Sequence, residues 1–261
     1  MDWAGVENRQ RNRFAAIRER LLRILHAGGT TDWDSELTQT TAGILLSAWG
    51  IDFTDVDYQD PKEARKRAIL SNTYLVSGYK SFHNIREYKN LLIDPASGEL
   101  RSRSAYGKLM REVDARYNKQ WIQAEYTHAQ QSAINGAKWR EYQEDKEEFD
   151  LVYDAVGDGH TSDLCRQLDG IVRPADDPFW NKYCPGNHWQ CRSSIRRVPK
   201  GTAGKNVDLR KLPKQEAFFA HNPGKTGIIF PKSHQYFQVP RGKKQVIRAR
   251  VKELLVSMFS F

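Results

Sequence analysis

The sequence predicts an α+β protein: a mostly helical N-terminal part with one long helix, then a small irregular β-containing domain, then a basic C-terminal helix. Three observations carry this prediction. Apolar residues recur at helical spacing through most of the chain up to Tyr142. From Phe149 onward, short runs rich in β-formers alternate with clusters of turn residues. Basic side chains then dominate the C-terminal end. These changes of character place the boundaries at 1–145, 146–240 and 241–261.

Each element has its own signal. Phe14, Ile17, Leu21, Ile24 and Leu25 predict a helix over 7–26. Gly28-Gly29 ends it, since glycine accepts the left-handed conformation of a helix C-cap. Leu37, Ile44, Leu45 and Ala48 predict a second helix over 36–49, closed by Gly50. Asp60-Pro61 is a helix start, because proline is tolerated where the N–H lacks a helical partner anyway. The helix that follows runs through Ala68, Leu75 and Phe82 toward Leu92, with a break expected near Gly78. Asp94-Pro95-Ala96-Ser97-Gly98 is a turn.

The long helix spans residues 104–142. Leu109, Val113, Tyr117 and Trp121 are four apart, and Ala129, Ala133 and Ala137 continue that row. The alanines predict a face for close packing at Gly136, where glycine otherwise costs about 1 kcal/mol against alanine. The acidic run from Glu141 to Glu148 reads as a solvated helix end. Strands are predicted at 149–156, 170–173 and 190–198, followed by a basic connection over 200–215. Asn222-Pro223-Gly224 is a turn, Ile228-Ile229-Phe230 a short strand, and Val246, Val251, Leu254 and Leu255 mark a helix over 244–258.

With 39% hydrophobic residues, seven Trp, eleven Tyr and eleven Phe, the 261-residue chain can build a substantial core. No apolar run approaches the ~20 residues a bilayer span requires. The opening Met1-Asp2-Trp3-Ala4-Gly5 has no apolar signal core. The expectation is a soluble protein, made and used in a cytoplasm or in an assembly built there, with no membrane partner. Three cysteines are too few for a secreted disulfide framework, and their odd number argues against one. Net charge is +9, but residues 192–252 hold sixteen Lys and Arg against only Asp208 and Glu216. That asymmetry suits a polyanion or an acidic protein partner, beside the plainer reading of a solvated basic surface.

All three cysteines lie between Tyr153 and Val198, in a stretch dense in Gly, Pro and Asp. Cys165, Cys184, His188 and Cys191 are spaced C-x18-C-x3-H-x2-C. Zinc takes four N or S ligands in a tetrahedron, and ligands a few residues apart in a turn supply them, so these four form a candidate structural zinc site. His160 and Asp163 are reserve ligands. Buried free thiols and a disulfide remain open alternatives. The same region offers a nuclease-like reading, with His160, Asp163 and His188 around a metal. Asp169-Gly170 and Asp176-Asp177-Pro178 read more simply as turns whose carboxylates cap backbone N–H groups. Gly224-Lys225-Thr226-Gly227 is not a phosphate loop, because Ala220 stands where that loop needs glycine. Arg192, Arg196, Arg197, Lys243, Lys244, Arg248, Arg250 and Lys252 are candidate phosphate contacts with little reading of base sequence.

These residues also carry a resemblance. Tyr117-Asn118-Lys119-Gln120-Trp121-Ile122-Gln123-Ala124-Glu125-Tyr126, Tyr153, Gly157-Asp158, Leu168-Asp169-Gly170, Pro174 through Trp180 and His188 through Arg192 stand in the order found in phage Mu F-like head morphogenesis proteins. The stretch from Tyr117 to Val198 resembles that family, also called minor head or minor capsid proteins. Asn222 to Phe230 and His234 to Phe237 look like versions found in prophages. The family commonly has Pro-Pro before the His or Gly and ends in Cys-Arg-Cys. Here Cys184-Pro185 and Cys191-Arg192-Ser193 stand instead, so that Cys184 would replace the cysteine missing at position 193. The resemblance implies a non-enzymatic virion component of a tailed phage, sited near the portal and assembled in the host cytoplasm. Its implied partners are the portal protein, the major capsid protein and packaged DNA. A metal-dependent nuclease and a general nucleic-acid-binding module are the competing readings.

Overall fold

Local spacing sets where the helices form, and caps set where they stop. The structure, a computed structural model, describes residues 3–57 and 59–259. The opening Met1-Asp2 and the last two residues of the helix expected over 241–261 lie outside them. Two compact units form, residues 1–126 with 234–261, and residues 127–233. The division falls at Tyr126 rather than at the composition change near 145, and the basic C-terminal helix belongs to the first unit rather than standing apart. Composition follows surface chemistry, whereas compactness follows packing.

In the first unit, helix α1 (Trp3–His26) buries Phe14, Ile17, Leu21, Leu22 and Leu25, while Ile24 stays exposed. Gly28 N donates to Leu25 O and Gly29 N to Ile24 O, with Gly28 at φ 83°, a Schellman cap. Helix α2 (Ser35–Ser47) starts at Asp34, whose side chain accepts from Leu37 N at 2.8 Å. Helix α3 (Ala64–Asn90) is entered through a 3-10 turn that Asp60 caps. It is buried on nearly every side, as a central helix must be.

No break occurs at Gly78. Helix α9 (Arg241–Met258) lies so close that a Cβ there would sit 2.6 Å from Val251 Cγ2 and 3.3 Å from Ile247 Cγ2. The glycine admits a neighbour instead of ending a helix. On α9 the buried row is Ile247, Val251 and Leu255, and Val246 is exposed. Lys80 of α3 is buried against Glu125, Nζ to Oε2 2.7 Å, and the Tyr236 hydroxyl donates to Glu125 Oε1 at 2.8 Å. Burial holds the Lys80 ammonium below its ordinary pKa and the Glu125 carboxyl above its own, each opposed by the other's charge.

The long helix exists as α4 (Arg103–Ala115), a π-helical segment (Arg116–Trp121) and α5 (Ile122–Glu144). The wider π turn resets the helical phase. It leaves the Tyr117 hydroxyl donating to Glu87 Oε1 at 2.7 Å. The alanine row does not form one packed face: Ala129 is buried, Ala137 exposed. Steps of four overshoot a 3.6-residue turn by about 40° each, so such a row rotates off the core.

The second unit is built on a three-stranded antiparallel sheet in the order β2-β1-β3. Strand β1 (Phe149–Asp154) pairs with β2 (Val172–Pro174) through Leu151 and Arg173, and with β3 (Ser194–Pro199) through Tyr153 and Ile195. Leu151, Tyr153 and Ile195 face a core completed by Trp139, Leu168, Phe179 and Trp180. Helices α6 (Asp163–Leu168) and α7 (Phe179–Tyr183) are too short for a periodic signal. The expected turn at 222–224 is the one-turn helix α8 (Pro223–Thr226), ended by Gly227 at φ 69°. No strand forms at Ile228–Phe230; Ile229 and Phe230 are buried, and His128 Nε2 lies 3.3 Å from Ile229 O. No helix among the described residues is long and apolar enough to cross a membrane.

Candidate metal centre

Three elements of the second unit converge on one point. Ser162 caps α6 by accepting from Cys165 N at 3.2 Å, which fixes Cys165 in the helix's first turn. The loop before β3 turns tightly, with Cys191 N donating to His188 O at 3.2 Å. Within that turn Gln190 sits at φ 59°, the only positive-φ residue other than glycine among those described. The left-handed conformation costs about 1–2 kcal/mol for an L-residue.

The result brings the ligand atoms of Cys165, His188 and Cys191 within 4.8 Å of one another. The two sulfurs are 3.7 Å apart and both cysteines are buried. The Tyr153 hydroxyl lies 3.1 Å from Cys165 Sγ, and Asn187 Nδ2 donates to that hydroxyl at 2.8 Å. His188 Nδ1 is 2.8 Å from Trp189 O, so a proton on Nδ1 leaves Nε2 as the free donor atom. The Cys165 thiol pushes Cys191 well below the ordinary thiol pKa, and His188 adds to the effect. The bond to Cys191 in turn raises both Cys165 and His188. Two buried cysteines and a half-buried histidine thus meet, a group near enough to hold a metal ion.

Cys184 is not part of this group. It is buried close enough to Cys191 to feel its charge, and burial, with a smaller effect from Cys191, pushes its thiol up to about 12. The four-ligand set expected from the spacing therefore assembles as three. His160 is exposed and lines a cavity of about 10 Å³ with His188, Thr161, Gln190 and Ser193. Asp163 faces solvent, 4.0 Å from Arg166, so the nuclease-like set His160, Asp163 and His188 is not gathered. One contributor was missed by spacing arguments: Asp158 receives a bidentate pair from Arg192 at 2.7 and 2.6 Å and accepts from His160 N at 3.1 Å. That guanidinium holds the Asp158 carboxyl well below the usual carboxylate range. Asp158 and Tyr153 were both visible among the residues of the family pattern.

Residues 98–196 match the family described as phage Mu protein F like protein. This segment is Mu F-like. No curated protein and no solved structure matches the chain. Within the Mu F-like segment the distinctive residues build structure. Asp169 accepts from Ala155 N at 2.9 Å, and Gly170 takes φ 78° to close its turn. Asp177 accepts from Phe179 N at 2.7 Å, and the buried Trp180 donates Nε1 to Pro174 O at 2.9 Å.

The basic residues divide between the units. Arg192 is taken by Asp158, and Arg196 pairs with Asp154 at 3.2 Å. Arg197 reaches Asp145 and Glu141 at 2.5 and 3.2 Å and lies over the Tyr142 and Phe149 rings. These three serve their own unit's acids. On α9, Lys243 pairs with Asp32, Arg250 lies over Trp33, Lys244 is half-buried, and Arg248 and Lys252 are exposed.

Proposed function

We propose that this protein is a minor head protein of a tailed bacteriophage, acting beside the portal protein in head assembly and in DNA packaging or delivery. The observation that carries this is the Mu F-like match over residues 98–196. Its support from geometry is that motif residues such as Asp169, Gly170, Asp177 and Trp180 cap turns and fill a core, so the pattern specifies a fold. A structural zinc ion in the small unit fits the same role, since it stiffens a domain with short strands. The protein would sit in the virion near the portal, in contact with the major capsid protein, after assembly in the host cytoplasm.

For packaged DNA, α9 is the better contact than the sheet unit. Arg192, Arg196 and Arg197 are paired with acids, whereas Arg248 and Lys252 face solvent. Such binding would be non-specific and would weaken steeply with salt.

The test is co-expression with the portal and major capsid proteins of the same phage. Co-sedimentation with the portal, and heads that lack DNA when the gene is deleted, are the expected results. Cutting of DNA with added divalent metal, lost in His188→Ala, would replace this reading with the nuclease. Salt-sensitive DNA binding with neither property would replace it with a general nucleic-acid-binding module.

A further inference from the structure

We infer that Cys165, His188 and Cys191 hold one zinc ion, that His160 supplies its fourth ligand, and that Cys184 supplies none. The inference goes beyond the head-protein reading and stands or falls separately from it. It begins with a distance. Two thiolates bonded to one tetrahedral zinc at about 2.3 Å lie about 3.8 Å apart. Cys165 Sγ and Cys191 Sγ are 3.7 Å apart. With His188 in the same 4.8 Å group, three corners of a tetrahedron are set before any metal arrives.

The surrounding shell is the kind that metal ligands require. A ligating histidine usually gives its other ring N–H to a carbonyl or carboxylate, which fixes the ring and its tautomer. His188 does so through Nδ1 and Trp189 O at 2.8 Å. Cys165 is braced by the Tyr153 hydroxyl, itself held by Asn187, whose side-chain oxygen accepts from Gln215 Nε2 at 2.6 Å. The left-handed Gln190 turns the chain so that His188 and Cys191 point the same way. A strained turn and a layered hydrogen-bond shell around three soft donors have no use in a plain apolar core.

The fourth corner is set by what faces the group. The cavity there, of about 10 Å³, has room for about one water molecule, and His160 is on its wall. Asp158 ties the His160 backbone to Arg192, the residue after Cys191. Gly157 and Gly159 flank this clamp with open space where a Cβ would lie, and His160, which stands outside the 4.8 Å group, must turn inward across the cavity to reach the metal. Cys184 is buried and is not among the residues that line that cavity. Two cysteines and two histidines then make a closed site, which is the structural kind.

The test uses the full chain with zinc or cobalt(II) alone as the added metal. Elemental analysis should give one zinc per chain. The cobalt form should show tetrahedral bands with charge-transfer intensity for two thiolates, a count that needs no variant. Cys184→Ala should leave both metal content and spectrum unchanged. His160→Ala should still bind metal, at least about 10-fold more weakly, with altered cobalt bands. Three-thiolate intensity, or metal lost in Cys184→Ala, overturns the ligand set. An unchanged spectrum and affinity in His160→Ala puts water at the fourth corner and overturns that assignment. Two cysteines that fail to react with a thiol reagent in denatured, metal-free protein would show a disulfide and overturn the site.

Discussion

The helical unit and the sheet unit protect buried polar groups in opposite ways. Around α3, long helices supply a large apolar core, and it tolerates the Lys80–Glu125 ion pair because Tyr236 adds a further bond to the carboxylate. The sheet unit has strands of three to six residues and helices α6 and α7 of six and five. It gathers soft donors at one point in its interior, while ion pairs such as Arg192–Asp158 and Arg196–Asp154 stay at its surface. The difference teaches that the amount of regular structure decides which buried chemistry a domain can carry. A pair of opposite charges needs rigid walls, while a metal clasp can supply the rigidity itself.

Removing the proposed zinc is the strongest way to break the comparison. Zinc contributes about 10–16 kcal/mol to small metal-folded domains. Chelation should therefore abolish amide protection across residues 149–199 while the helices around α3 keep theirs. Hydrogen exchange followed by mass spectrometry reads this directly, and equal loss in both units would refute the contrast.

Lys80→Met is next. It leaves the Glu125 carboxyl buried without its cation, at a cost of about 3–5 kcal/mol in urea unfolding. Adding Glu125→Leu should recover most of it. If the double variant is no better than the single, the ion pair is not what Glu125 requires.

A smaller effect sharpens the picture of the sheet unit. His128 is enclosed by Trp189, Phe218, Phe219 and Phe230, with ring centroids 5.0–5.8 Å away. Burial pushes its pKa down to about 4; the neighbouring His221 adds to this and Cys191 opposes it. The unfolded chain binds the proton first, so the contribution is complete above about pH 6.5 and is lost as pH falls toward 4. The loss is about 3 kcal/mol at the acid end. His128→Gln should flatten that slope in denaturant titrations at pH 7 and 4.5.

Gly78→Ala carries the least, about 1–3 kcal/mol, because the new methyl group meets Val251 on α9. Pairing it with Val251→Ala should return part of the loss. A neutral Gly78→Ala would mean that α9 does not pack as closely as described.

What was legible in the chain was local. Helical spacing marked α1, α2, α3 and α9, and alternation marked β1 and β3, whereas Asn222-Pro223-Gly224 read as a turn where α8 starts. These signals depend on neighbours within four residues, and such neighbours stay close in any fold. Helices α6 and α7 escaped because five or six residues do not complete two turns. The site was half legible. Cys165, His188 and Cys191 could be named from their residue types, but spacing also enrolled Cys184, and nothing in it showed that Asp158 would clamp Arg192 beside His160.

By itself, then, the sequence determined the order of helices and strands, the turns between them and the Mu F-like pattern of residues 98–196. Only the tertiary structure decided which thiols meet, which arginines are already paired, and why Gly78 is a glycine. Cys165 and Cys191 are 26 positions apart, and Gly78 and Val251 belong to different helices. Such contacts depend on how whole elements pack, and no local pattern of side chains encodes that packing.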